Sequence, residues 1–205
     1  MRVLLLVVCG LAASGCSRNR PPTQLSLVWK GESMPRPNPE VSAALRAAPV
    51  SLTVVDLRPN PAEVVFDERN ARSIPSTVDV AQYTAGVVRS ILEGGGARVD
   101  PTATTQISLQ LEAWRVVEGG MFNGEARVRV QVLRGGALTL NDVYEGKSKR
   151  WGRTHSTDNM NEALTSALSG AMKRLLTDRQ FATALGGSSE AGTAPQPPPV
   201  PVRSL

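Results

Sequence analysis

Residues 106–117, QISLQLEAWRVV, and residues 125–134, EARVRVQVLR, decide the architecture of this chain. In the second stretch Ala126, Val128, Val130 and Val132 alternate with Arg127, Arg129 and Gln131. In the first, Ile107, Leu109, Leu111 and Ala113 fall on one face. A period of two that separates apolar from charged side chains predicts an antiparallel sheet with one buried and one wet face. Gly119-Gly120 and Gly135-Gly136 mark the turns, and Leu138 to Trp151 completes a meander with an irregularity expected at Asn141-Asp142.

Outward from the meander the signals change. Val50 to Leu57 reads as a strand, stopped by Arg58-Pro59-Asn60-Pro61 because proline cannot donate to a ladder. Glu63 to Ser73 reads as a short strand or a loop. Val78 to Glu93 carries Val80, Thr84, Val87, Val88, Ile91 and Leu92 at helical spacing. Ser76 with Asp79 suggests a capping box at its start, and Gly94-Gly95-Gly96 a left-handed stop at its end. A second helix is expected from Asn159 to Thr177, capped by Thr157 or Asp158, with a short helix from Asp178 to Leu185. Leu25 to Trp29 and Ala97 to Val99 read as short strands, and residues 31–49 as a proline-containing loop with a weak helical turn. Two amphipathic helices on one face of an antiparallel or mixed sheet make a two-layer α+β domain.

The amino-terminal end carries an address. One arginine (Arg2), the apolar run Val3 to Val8 and then Leu11-Ala12-Ala13-Ser14-Gly15-Cys16 describe a secretory signal ending in a lipobox. The run is too short to span a bilayer, which needs about 20 apolar residues. The reading is cleavage between Gly15 and Cys16, with diacylglycerol and an amide-linked acyl chain such as palmitate on Cys16. Two or more chains hold a protein stably on a membrane. The division that follows is a signal peptide at 1–15, a tether at 16–24, one domain at 25–185 and a disordered Pro-rich tail at 186–205. Cys16 would be the only cysteine left, so no disulfide is expected. Ser17, where an aspartate would favour retention at the inner membrane, points to the outer membrane with the domain facing the periplasm. The net charge of +5 comes mostly from arginine, but acids lie beside the basic residues, which predicts a surface of mixed sign and no nucleic-acid partner.

With these motifs in place the chain resembles the YajG-like family of small bacterial lipoproteins. The resemblance rests on the lipobox, on Val50 to Arg58, and on the capped helix running into Ala97-Arg98-Val99. It also rests on the meander and on Asn161-Glu162-Ala163-Leu164 near the start of the last long helix. It implies an envelope lipoprotein with no established activity, hence no catalytic residue to carry over. The proline loop and the Pro-rich tail depart from the family pattern.

Reactive groups are sparse. His155 is the single histidine and, with no cysteine partner, builds no zinc site; it is expected to face solvent in a polar loop. Neither a catalytic set nor a cofactor is expected. Glu112, Glu118 and Glu125, on or beside strands, are the carboxylates a hydrolase would have to use. Trp114 is out of phase with Ile107, Leu109 and Leu111. Either it joins Arg115, Arg127, Arg129 and Trp151 in a binding surface, or a bulge returns it to the core. Met121 and Phe122 form either an exposed hairpin tip or a satellite cluster. The leading functional expectation is a non-enzymatic, lipid-anchored envelope protein that binds a protein partner or supports assembly. A peptidoglycan-binding module is the second reading and a periplasmic hydrolase the third.

Overall fold

Thr105–Glu118 (β4), Phe122–Arg134 (β5) and Ala137–Arg150 (β6) form the antiparallel meander, at the heart of a six-stranded mixed sheet. The computed structural model describes residues 22–30 and 34–186; Gly15, Cys16 and the tail from 187 onward lie outside the described residues. Val50–Asp56 (β1) pairs parallel with the first half of β4, and Glu63–Asp67 (β2) pairs parallel with its last residues. Both therefore share the edge of β4 opposite β5. Arg72–Pro75 (β3) closes a hairpin on β2. The sheet is thus mixed, one of the two forms its pattern allowed.

Val80–Gly94 (α2) packs on β1, and Thr157–Thr177 (α3) crosses β6, β5 and β4. Both lie on one face, where Trp114 touches both: its ring stacks on Tyr83 of α2 at 5.9 Å, and its Nε1 donates to Leu164 O of α3 at 3.0 Å. The core between the layers holds Ile107, Leu109, Leu111, Val128, Val130, Leu164, Leu168 and Met172, all buried. Pro39–Ala47 (α1) and Arg179–Ala184 (α4) pack on each other at one flank. Phe181 and Leu185 are buried there.

α3 lies unusually close to the strands. A Cβ on Gly146 would collide with the backbone of Ala167 and Ala171, and one on Gly124 with the backbone of Ala163. Only glycine lets the two backbones approach to this distance.

Several local expectations need correction. α2 is capped by Asp79, whose carboxylate accepts from Gln82 N; Ser76 accepts from Val78 N instead, so there is no Ser76 capping box. Ser156, one residue before the expected Thr157, caps α3 by accepting from Asn159 N. The β6 irregularity falls opposite Val132 and Leu133, not at Asn141-Asp142. Leu25 to Trp29 is not a strand beyond a single bridge from Leu25 to Ser76. Leu25 N donates to Pro75 O, but further on the amides go to helix side chains: Val28 N donates to Asn161 Oδ1 at 3.0 Å and Lys30 N to Thr165 Oγ1 at 3.1 Å. Ala97 to Val99 likewise reduces to one bridge with Val50.

Candidate functional site

The sheet face turned away from α2 and α3 carries no covering layer among the described residues, and it is charged. Register sets its side chains in rows: Arg115 opposite Glu125, and Arg127 opposite Glu145. Arg127 Nε donates to Glu112 at 2.7 Å and its Nη1 to Glu145 at 2.5 Å; Arg129 Nε donates to the other oxygen of Glu112 at 2.7 Å. Arg115 pairs with Glu125 at 2.7 Å. The hydrogen bond from Arg127 holds the Glu112 carboxyl below the usual carboxylate range; partial burial opposes this and the bond and charge of Arg129 assist it. Three arginines face three glutamates and neutralise one another; Lys147, opposite Glu125, and Lys149, opposite Asn123, stand exposed on the same face and leave it with two cations more than anions.

Beside this band a cleft of about 230 Å³ opens between Arg58, Asn60, Glu63, Glu112, Trp114 and Glu125. Along this cleft β4 bulges between Leu111 and Ala113. The extra residue reverses the side-chain phase. Trp114 is therefore buried at 2% exposure, on the face opposite Arg115, Arg127 and Arg129. The expected placement of Trp114 in a shared binding surface is thus corrected, and the bulge is the reason. Arg58, also buried, clamps the bulge. Its Nε and Nη2 grip Asp56 at 2.8 and 2.7 Å, Nη1 donates to Glu63 O and Trp114 O, and Nη2 to Pro61 O. All five guanidinium donors are used. Arg58 is a structural tie and offers no free donor to a ligand.

At the sheet's end one row of register runs Arg72, Asp67, Glu118, Phe122, Arg150 across β3, β2, β4, β5 and β6. Asp67 and Glu118 are both buried. His155 lies against them, its Nδ1 3.5 Å from Glu118 and 3.8 Å from Asp67, and its backbone N donates to Glu118 at 2.5 Å. It takes the left-handed conformation, φ 61°, which histidine tolerates better than most residues. The solvent-facing histidine expected from the sequence is thus a largely buried wedge against two carboxylates, Asp67 and Glu118. Burial raises the Asp67 carboxyl. The side chain and amide of Asn70, the charge of His155 and the Arg69 amide together outweigh that, so it lies below the usual value.

Arg115, Arg127 and Arg129 are brought together as expected. Trp151 is 77% exposed but stands past the last row of the sheet. Glu118 does not join Glu112 and Glu125; it points into the domain. Phe122 is buried and Met121 half-buried, so the β4–β5 turn is a packed cluster rather than an exposed tip. Among the described residues no group of three or more His, Cys, Asp or Glu is disposed to hold a metal ion, and no helix is long and apolar enough to cross a membrane. The roles of Arg58 and Asn161 had no sequence signal beyond their motifs. Asn161 accepts from Val28 N and donates to Ser26 O and Thr157 O, fastening the entering chain to α3.

These features define a helix-backed mixed sheet with one open face crossed by arginine–glutamate pairs, a scaffold on which no reactive cluster stands out among the described residues. The model of a family described as uncharacterized lipoprotein (Lipoprotein_16) matches residues 35–186, and the chain belongs to that family. The resemblance to the YajG-like lipoproteins holds. Among curated proteins, none matches the sequence. Of solved structures, protein XCC0632 from Xanthomonas campestris, assigned to the family model DUF330, is similar with a TM-score of 0.56 at 11% identity. The match covers 78% of this chain and 96% of that one. A PelC dodecamer from Paraburkholderia phytofirmans is similar with a TM-score of 0.39 at 18% identity, over 65% of this chain and 91% of that one. The likeness to XCC0632 is one of fold.

Proposed function

We propose that this protein is a non-enzymatic lipoprotein of the bacterial envelope, acylated at Cys16 after cleavage from Gly15. It is held at the outer membrane with its domain in the periplasm, where the open sheet face and bulge cleft receive a protein partner or support assembly. The observation that carries this reading is the lipobox joined to a domain of a lipoprotein family, with a short connection between them. The non-enzymatic part is supported by the state of the candidate groups. Glu112 and Glu125 are ion-paired, Glu118 is buried on the other face, and Arg58 has no donor to spare. A face that alternates arginine–glutamate pairs suits a protein surface of mixed charge better than a uniformly anionic polymer, which ranks a cell-wall module second.

Labelled palmitate supplied to growing cells should enter the wild-type protein and not Cys16→Ser. Density separation of the membranes should place the labelled band with the outer membrane. Crosslinked envelopes should yield one defined partner by affinity capture. Label that enters both proteins equally, or neither, overturns the anchoring; labelled protein with no recurrent partner over several growth conditions overturns the partner-binding role.

A further inference from the structure

The chain enters the domain at one particular end. Arg72 Nη2 donates to Pro22 O at 2.7 Å, and from there the backbone runs alongside β3, Leu25 N donating to Pro75 O at 2.8 Å. Arg72 begins β3 and belongs to the terminal row of the sheet that ends at Arg150. Beyond this row lie the β2–β3 turn, the β4–β5 turn and the loop from Trp151 to Ser156. Resting on the anchoring reading above, Cys16 is six residues from Pro22, a reach of at most about 20 Å for extended chain. The opposite end of the 14-residue strand β4 is about 45 Å away at about 3.3 Å per residue. A lipid on Cys16 therefore keeps this rim, and not the β5–β6 turn, beside the bilayer.

The rim is equipped for that position. Trp151 is the most exposed large apolar side chain among the described residues, and tryptophan partitions to the headgroup region, where its ring is half in hydrocarbon and its N–H meets water. Arg150 and Arg153 flank it, and Arg69 reaches the same loop with its Nη1 3.5 Å from Thr154 Oγ1. Glu68 is the exposed acid of the β2–β3 turn; Glu162 is paired to Arg150 at 3.2 Å. The loop is not slack, since the His155 amide bonded to buried Glu118 fixes its far end to the sheet. Pro22, beside β3, and Trp151, after β6, stand at opposite sides of the rim; Arg72 and Arg150, the ends of its row, are four strand spacings apart, about 19 Å.

We propose that this rim is a membrane-docking surface: Trp151, flanked by Arg150, Arg153 and Arg69, inserts into the headgroup layer of the bilayer that holds Cys16. Acyl chain and tryptophan then fix the domain at two points, strands upright, with the charged sheet face left open sideways to a partner.

The test uses full-length protein extracted with its acyl chains, checked by intact mass. It is reconstituted in vesicles of phosphatidylethanolamine and phosphatidylglycerol, part of the lipid brominated near the headgroup. Trp29 and Trp114 are the other fluorophores, the second one buried. Quenching of part of the emission is expected, with that quenchable part falling to near zero in Trp151→Phe, whose fold is checked by near-ultraviolet circular dichroism. Equal quenching of the two proteins, or none in either, overturns the proposal, as it would if the rim contacts a protein or if the sheet face lies flat on the lipid. Absence of acyl mass removes the anchoring reading and this inference together; acyl mass with an unquenched Trp151 removes this inference alone.

Discussion

Gly146 and Gly86 carry opposite expectations although both touch α-helices. At Gly146 a methyl group would meet the backbone of Ala167 and Ala171, which no side-chain adjustment relieves. Gly146→Ala must push α3 off the sheet and should cost about 1–3 kcal/mol, the range for overpacking. Gly86 lies inside α2 with open space where its Cβ would be. Gly86→Ala should raise stability by about 0.5–1 kcal/mol, through helix propensity and a less flexible unfolded chain. Urea denaturation of the two variants beside wild type checks both signs at once. Asp67 supplies the pH dependence. Its folded value lies below an unfolded value of about 3.9. A depressed carboxyl contributes stability that is complete above the unfolded value and lost as pH falls through the folded one. Asp67→Asn leaves the amides of Arg69 and Asn70 and the Asn70 side chain without the anion they donate to. It should be less stable than wild type at pH 7, with the gap narrowing below about pH 4. Unfolding curves at pH 7, 4 and 3 test this; a gap that stays constant refutes the assignment.

The bulge in β4 is the element on which both faces of the sheet depend. It turns Trp114 inward, leaves Glu112 outward beneath Arg127 and Arg129, and lies along the cleft. Arg58 ties it by bonding Trp114 O while held by Asp56 from β1. Removing one partner of a buried pair leaves the other uncompensated, so Arg58→Ala should cost about 3–5 kcal/mol. Arg58→Lys should recover only part, since an ammonium cannot reproduce a planar fork of five donors. Thermal unfolding ranks the three proteins, and full recovery in Arg58→Lys would show that charge alone, not the fork, matters. The bulge also marks how far the sequence could be read. The meander was legible because a half-buried strand writes its two faces into alternate residues, and Trp114 announced a phase break without saying which way it resolved. The parallel docking of β1 and β2 on β4 was not legible, because alternation states which face is buried and not which strand is the neighbour. Leu25 to Trp29 alternates like a strand, yet the amides of Val28 and Lys30 go to Asn161 and Thr165 of α3. The buried Asp67, Glu118 and His155 were missed for a related reason: a charged residue in a strand ordinarily faces water, and only the fold brings three from distant positions to pair among themselves.

On the scale of the whole molecule, the basic composition and the open sheet face have to be weighed together. A net charge of +5 suggests affinity for anionic polymers, but charge acts through its distribution. On the open face Arg115, Arg127 and Arg129 are each answered by Glu125, Glu112 or Glu145. Such pairs have little far field, because each is closer than the roughly 8 Å over which physiological salt screens, which leaves Lys147 and Lys149 as the face's net charge. The wild-type protein should therefore show weaker salt-sensitive sedimentation with purified peptidoglycan than a variant without these acids. Replacing the acids together, Glu112→Gln, Glu125→Gln and Glu145→Gln, keeps side-chain shape and leaves three unanswered guanidinium groups. The cost to folding should be small, since exposed pairs contribute little. The variant should now pellet at low salt and be released as salt rises to about 0.15 M, where the field is cut off within a side chain's length. Wild-type protein that pellets as strongly, in the same salt-sensitive way, would mean that its glutamates do not neutralise the arginines in solution, and would move the cell wall ahead of a protein as the partner of the open sheet.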